Sequence, residues 1–162
     1  MATNLKALYY KKTKQFMIET KVFNVVHKPT PSEKTEIINF LYEHLEEYGD
    51  SKKDIQKAID YSINECISFG GFTMLILEDD QIAGVTVINE TGMGGYIPEN
   101  ILVYIATHKD FRGKGLGKML MLNAIDHAKG DIALHVEANN PAIKLYEKLG
   151  FTNPYLEMRL KK

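Results

Sequence analysis

Apolar residues along the chain recur with two different periods, and the switches between them divide the sequence into elements. Residues 16–27 (FMIETKVFNVVH) are rich in β-branched and aromatic side chains that pack well on a pleated surface; they predict a strand, stopped by the turn KPTPS. The period then lengthens. Ile37, Leu41, Leu45 and Tyr48 recur at helical spacing, so a helix is expected from about Ser32, with Thr35 and Glu36 in its first turn, up to Gly49. A second helix follows Asp50 and ends at Gly70-Gly71, with Ile55, Ile59 and Ile63 on one face; Cys66 continues that face and is expected to pack in the core.

Two strand-like runs, 72–78 and 81–89, are separated only by Asp79-Asp80, which reads as a hairpin. After the Gly-rich loop TGMGGYIPEN, residues 101–108 (ILVYIATH) form a continuous apolar run, as expected of a central strand covered on both faces. Leu116 to Lys129 reads as an amphipathic helix closed by Gly130, and 131–138 (DIALHVEA) as a further strand. Asn140-Pro141 opens a helix that ends at Gly150, and YLEMRL supplies a last strand. A short lysine-rich helix is expected near 4–14. The order of elements is that of a mixed α/β fold, a central sheet with helices on its faces. No repeat or Pro/Gly/Ser-rich linker divides it, so 16–162 is expected to be one domain, with residues 1–15 as an N-terminal extension.

A chain of 162 residues with 44% hydrophobic side chains can bury a core without disulfides or metal. Its one cysteine cannot form an internal disulfide, and no Cys/His cluster has zinc-site spacing, so no metal is expected. A formal charge of −1 provides no global basic surface for nucleic acid. No apolar run has the length of a membrane span, and the first residues lack a signal-peptide pattern; the expectation is a cytoplasmic protein with no membrane partner. Charge is nonetheless uneven, with a balance of +5 over 1–30 and −5 over 31–70. The acidic stretch reads either as solvated helix faces or as a mouth for a cationic substrate.

The chemistry concentrates at Arg112-Gly113-Lys114-Gly115-Leu116-Gly117, between the apolar strand and a helix. Glycines there let a ligand approach the backbone, and the unpaired N–H groups and dipole of the helix's first turn favour a pyrophosphate. Arg112, Lys114 and Lys118 add positive charge. A Walker motif needs Ser or Thr after the lysine, and a dinucleotide fingerprint needs Gly-x-Gly-x-x-Gly; neither fits this run.

Arg112, Gly115 and Gly117 match the Arg/Gln-x-x-Gly-x-Gly/Ala signature of the GNAT superfamily of acetyl-CoA-dependent N-acetyltransferases, which the chain resembles from about 16 to 160. Asn139 followed by Tyr146 in Leu145-Tyr-Glu-Lys-Leu-Gly-Phe151 reproduces a second signature of that family. The resemblance implies a mostly antiparallel sheet whose strands around 101–108 and 131–138 splay apart. It implies acetyl-CoA as cosubstrate, lying along the backbone of Ile105, Ala106 and Thr107, with its pyrophosphate over Arg112, Gly113, Lys114, Gly115, Leu116, Gly117 and Lys118. A homodimer and a monomer are both left open by the sequence.

On this resemblance Tyr146 is expected to protonate the leaving thiolate, although its helix neighbours Leu145 and Leu149 also fit a packing role. Asn139 reads as an amide contact to the cofactor or as a polar strand end before the next helix. An N–H from Ile105 or Ala106 is expected to hold the thioester oxygen. The acceptor, a primary amine, must be neutral to attack; for a lysine-like pKa near 10.4 this costs roughly 4–5 kcal/mol at pH 7, so a base helps. Candidates are His135 and Glu137, on one face of their predicted strand, Glu99 at the entrance of the central strand, and more weakly His108. His135 falls where some relatives carry a catalytic Glu. With no nucleophile elbow or Cys–His pair, transfer is expected directly within a ternary complex. A small-molecule amine is favoured as acceptor; a protein N-terminus or lysine, and a non-catalytic CoA-binding sensor, are the alternatives.

Overall fold

The computed structural model describes residues 17–162, so the predicted helix near 4–14 and the extension 1–15 lie outside the described residues. In chain order the elements are β1 (Ile18–Phe23), α1 (Pro31–His44), α2 (Lys52–Ser62), β2 (Gly71–Glu78), β3 (Gln81–Glu90), β4 (Asn100–Thr107), α3 (Leu116–His127), β5 (Ile132–Leu134) and α4 (Ile143–Lys148). The five strands form one sheet in sequence order. Pairing is antiparallel from β1 to β4 and parallel between β4 and β5.

Local chemistry sets most boundaries. The β2–β3 turn rests on Asp79 and Asp80 at φ 50° and 64°, the left-handed conformations that a two-residue hairpin turn requires. Helix α1 starts before the expected Ser32. Thr30 is its cap: Thr30 Oγ1 accepts from the Glu33 N–H, the Glu33 carboxylate accepts from the Thr30 N–H at 2.7 Å, and Pro31 takes the first position. It also stops early, at His44, because Glu46 turns left-handed at φ 55° and residues 46–48 form one 3₁₀ turn.

Two apolar layers sandwich the sheet. Ile37, Leu41, Ile55 and Ile59 of α1 and α2 pack on Leu75, Val85, Val87, Tyr104 and Ala106. On the other face Leu116, Leu120, Met121 and Ala124 of α3, together with Tyr146, cover Met74, Ile76, Ala83, Ile88 and Leu102.

Three expectations need correction. Cys66 is exposed, not core: α2 ends at Ser62 and Asn64 turns left-handed at φ 54°, so the helical face that aligned Cys66 with Ile63 has already ended. The strand predicted over 131–138 reduces to Ile132–Leu134, and the run YLEMRL forms no strand. An alternating pattern becomes a strand only where an edge accepts it. Here β5 follows β4 for three residue pairs, Asn100↔Ile132 to Leu102↔Leu134, and then diverges.

Candidate active site

Beyond Leu102 the edge of β4 that faces away from β3 has no strand partner among the described residues, and a β-bulge decides which backbone groups it presents. The Asn100 N–H donates toward β5, to the Asp131 C=O at 3.0 Å. Four residues on, the Tyr104 C=O instead accepts from Thr86 Oγ1 of β3, and the His108 N–H donates to Ala83 of β3. The extra residue is Val103, skipped in the register between Val87↔Tyr104 and Ile88↔Leu102. Strand alternation from these points turns the peptide groups of Tyr104 and Ala106 to β3 and leaves those of Ile105 and Thr107 on the open side. Of the two N–H groups considered for the thioester oxygen, geometry favours Ile105.

The open edge runs into the Gly-rich loop. Gly113 and Gly115 adopt φ of 80° and 79°, and a Cβ on either would meet nothing within 4 Å. Gly115 caps α3 with no side-chain hydrogen bond, and the first N–H of the helix to find an intrahelical acceptor is that of Met119, at 3.0 Å from the Gly115 C=O. The amides of Leu116, Gly117 and Lys118 therefore have no backbone partner among the described residues, the arrangement in which a helix N-terminus receives an anion. A Cβ on Gly117 would lie 3.6 Å from Leu145 and 3.8 Å from Thr107, so α3, α4 and the end of β4 meet at this glycine.

The cationic side chains are differently engaged. Arg112 donates to the His44 C=O at 3.1 Å and lies 3.2 Å from Glu46, tying the loop to the end of α1. The Lys114 ammonium sits over the Phe111 ring and 3.7 Å from buried Glu78. Lys118 is exposed.

Tyr146 is buried, 7% exposed, in the same apolar layer as Ile105 and Leu116, with its ring 5.8 Å from that of Phe151. Burial pushes its pKa up to about 12, which keeps the phenol protonated and able to donate at neutral pH. Asn139 is exposed, and its carbonyl accepts a long 3.5 Å bond from Tyr48. Asn140 Oδ1 accepts from the Ala142 N–H at 2.9 Å in the turn before α4, which starts at Ile143 and not at the expected Asn140-Pro141, with Ala142 as a cap that makes no side-chain hydrogen bond.

The base candidates separate. His135 and Glu137 lie past the end of β5, so the shared strand face expected of them does not form. His135 is the first residue beyond the last β4–β5 pair and faces Glu157. Glu137 instead contributes, after burial and Glu47, to raising the pKa of Tyr48. Glu99 accepts from the Asp131 N–H at 2.8 Å, and this bond with those from the backbone of Glu99 and Gly95 lowers its pKa; it clasps the closed end of the strand pair and is a correspondingly weak base. His108 packs against His44 with the ring centroids 4.4 Å apart and the rings tilted by 48°, and its Nδ1 accepts from the Asp110 N–H.

Several residues at this site escaped sequence reasoning. His44 is buried with no hydrogen-bond partner for Nδ1 among the described residues, and burial followed by His108 lowers its pKa. Tyr104 donates to Asp50 across the sheet–helix interface. Neither partner lies near the other in sequence, and no periodicity marks such a pair.

A profile of the acetyltransferase (GNAT) family matches residues 36–151, a span that holds both the loop and Tyr146. The chain belongs to the GNAT family of acetyltransferases. Among solved structures, this GNAT chain is similar to the ribosomal-protein-S18-alanine N-acetyltransferase of Escherichia coli, with TM-score 0.63, 18% identity, and 86% and 80% of the two chains covered. It is also similar to an aminoglycoside N-acetyltransferase in complex with CoA, with TM-score 0.61, 13% identity, and 90% and 96% covered. At these identities the likeness is one of fold. A curated relative, the cysteine-rich protein 2-binding protein of Mus musculus, is 27% identical over 95 residues; the match covers 55% of this chain and 11% of that protein. Among the described residues no helix is long and apolar enough to cross a membrane.

Proposed function

We propose that this GNAT protein transfers the acetyl group of acetyl-CoA directly to a primary amine, and that the acceptor is a small cationic molecule. The reading rests above all on the open, bulged edge of β4, which leads straight into the uncapped first turn of α3. Open space over Gly113 and Gly115 and unpaired amides at Leu116, Gly117 and Lys118 fit a pyrophosphate. Ile105 and Thr107 offer peptide groups for an extended amide-bearing arm. From Thr107 to Ile105 the edge measures roughly 7 Å, which brings the reacting end of such a ligand beside the bulge at Val103, next to the last β4–β5 pair, Leu102↔Leu134.

Acetyl-CoA supplies an acyl group on a good leaving thiolate. The Ile105 N–H stabilises the negative charge that develops on the thioester oxygen. An ammonium acceptor gives one proton to a base; its nitrogen then bonds to the acyl carbon while the C–S bond breaks. Tyr146 hands its phenolic proton to the departing sulfur, and the second proton released by the amine nitrogen restores it. His135, at the apex of the splayed strands, is placed best of the candidates to take the first proton.

The preference for a cationic acceptor rests on the acidic side of the cleft. Glu43 and Glu46 face Lys109 and Arg112, but Glu47, Asp50 and Glu137 gather around Tyr48 and Tyr104. The test is CoA release with spermidine, an aminoglycoside, free amino acids and peptides with free N-termini, at low and high salt. Spermidine or the aminoglycoside should be acetylated, at a rate that falls as the Debye length shrinks from about 10 Å at 0.1 M to about 3 Å at 1 M salt. Turnover of peptides alone, insensitive to salt, would replace the small cation by an N-terminal amine as acceptor.

A further inference from the structure

The segment after α4 does not close the sheet as a strand, yet it returns to the place where the sheet opens. Glu157 Oε2 lies 3.3 Å from His135 Nε2. Its other oxygen, Oε1, accepts from Arg159 Nε. One carboxylate thus faces two partners. The Arg159 hydrogen bond holds the Glu157 carboxyl below its usual range and so keeps it ionised.

Position gives this contact its meaning. His135 follows Leu134, whose pairing with Leu102 is the last between β4 and β5, so it stands at the apex of the gap. The other candidates are placed or occupied differently. Glu99 is bound to backbone N–H groups at the closed end of the strand pair, Glu137 is exposed further past the end of β5, and His108 lies beyond the far end of β4 among Phe40, His44 and Phe111.

We propose that Glu157 is a positioning residue for His135: it holds the proton of the neutral imidazole on Nε2 and leaves the lone pair of Nδ1 to take the proton of the acceptor ammonium. The proposal rests on the reading of His135 as the base in acetyl transfer. The physical basis is electrostatic: a carboxylate 3.3 Å from one ring nitrogen favours the tautomer that carries its proton there over the one that turns a lone pair toward the negative charge. A carboxylate on the remote nitrogen also stabilises the imidazolium once the proton has moved. The step conserves atoms and charge: one proton leaves the ammonium nitrogen and arrives on Nδ1, and the positive charge moves with it.

A surface ion pair contributes little to folding, and with side chains 60% and 40% exposed this one is no exception, so its removal should be felt in catalysis and not in stability. Losing an orienting partner of this kind typically costs about 10–100-fold in activity where it supports a metal-bound histidine, and a loss near the lower end is expected here.

Two measurements test this separately. In the first, kcat is measured with the best acceptor of the amine panel for wild type, Glu157→Ala, Glu157→Gln, His135→Ala and the His135→Ala/Glu157→Ala double variant. CoA-induced thermal shifts serve as the control for folding and cofactor binding. Expected are a roughly 10-fold fall in kcat for Glu157→Ala, partial recovery in Glu157→Gln, unchanged thermal shifts, and no further loss when Glu157→Ala is added to His135→Ala. Equal losses from Glu157→Ala in the two backgrounds would overturn the proposal. In the second, long-range ¹H–¹⁵N correlation spectra of the imidazoles read the tautomer of His135 without any turnover. Wild type should carry the proton on Nε2, and Glu157→Ala should show a mixture; identical populations in the two would overturn the positioning role even in an active enzyme. A tautomer that responds to Glu157→Ala in a protein that acetylates no amine would uphold the positioning and reject the acetyl transfer.

Discussion

The Tyr104 hydroxyl donates a 2.7 Å hydrogen bond to Asp50 Oδ2 and so fastens the bulged middle of β4 to the loop between α1 and α2. Burial and the Asp50 carboxylate push the phenol's pKa upward, which keeps it a donor across the working pH range. Hydrogen bonds to charged groups contribute about 1.5–3 kcal/mol, and partial exposure of this pair places it at the low end. Tyr104→Phe should lower unfolding stability in urea by about 1–2 kcal/mol. If the loop borders the acceptor, the KM for the amine should also rise several-fold at unchanged affinity for CoA, measured by calorimetry.

Gly115 lies at φ 79° with open space where a side chain would go. Gly115→Val adds strain of about 1–2 kcal/mol, because a β-branched residue is poorly accommodated in the left-handed region, and it fills the space over the first turn of α3. The variant should fold with a lower Tm and show no stabilisation by CoA. At 100 times Kd, wild type should gain about 2.7 kcal/mol from the ligand. A full CoA response in Gly115→Val would place the pyrophosphate elsewhere.

Tyr146→Phe removes a proton donor while keeping the buried ring. Under the proposed mechanism kcat should fall by about 10²-fold or more, with CoA binding unchanged in thermal shift. The raised pKa carries a second consequence. The folded-state value of about 12 exceeds the ordinary value of 10.0, so the neutral phenol's contribution to stability is complete below pH 10 and is lost as pH rises toward 12. Alkaline unfolding of Tyr146→Phe should therefore be less steep over that window than that of wild type.

Glu33 has the opposite sign. A hydrogen bond from Lys21, then those from Thr30, lower its pKa from 4.5 to about 2. The stability this confers is present above pH 4.5 and is lost as pH falls toward 2. Thr30→Ala, which breaks the capping box, should cost about 1 kcal/mol at neutral pH, and Glu33→Gln should flatten the acid limb of an unfolding titration.

The order of elements was legible in the sequence because each rests on local chemistry. Asp79-Asp80 needs only two left-handed residues, the helical periods of α1 and α2 need only their own side chains, and Arg112 to Gly117 is a contiguous run that reads as an anion site from glycine and helix-terminus physics. Tyr146 and its signature run were also visible, although burial, which sets its acidity, was not.

Tertiary structure alone decided the rest. The bulge at Val103, which selects Ile105 over Ala106, arises from register against β3, a relation between strands that no single run of sequence contains. The short β5 and the unpaired YLEMRL share one cause: an alternating pattern states that a strand could form, whereas pairing requires an available edge, and β5 leaves β4 after Leu134. His135 and Glu137 consequently lost the shared face that alternation assigned to them. His135 acquired a partner distant in sequence, Glu157, because a contact between segments depends on where the whole chain has folded them.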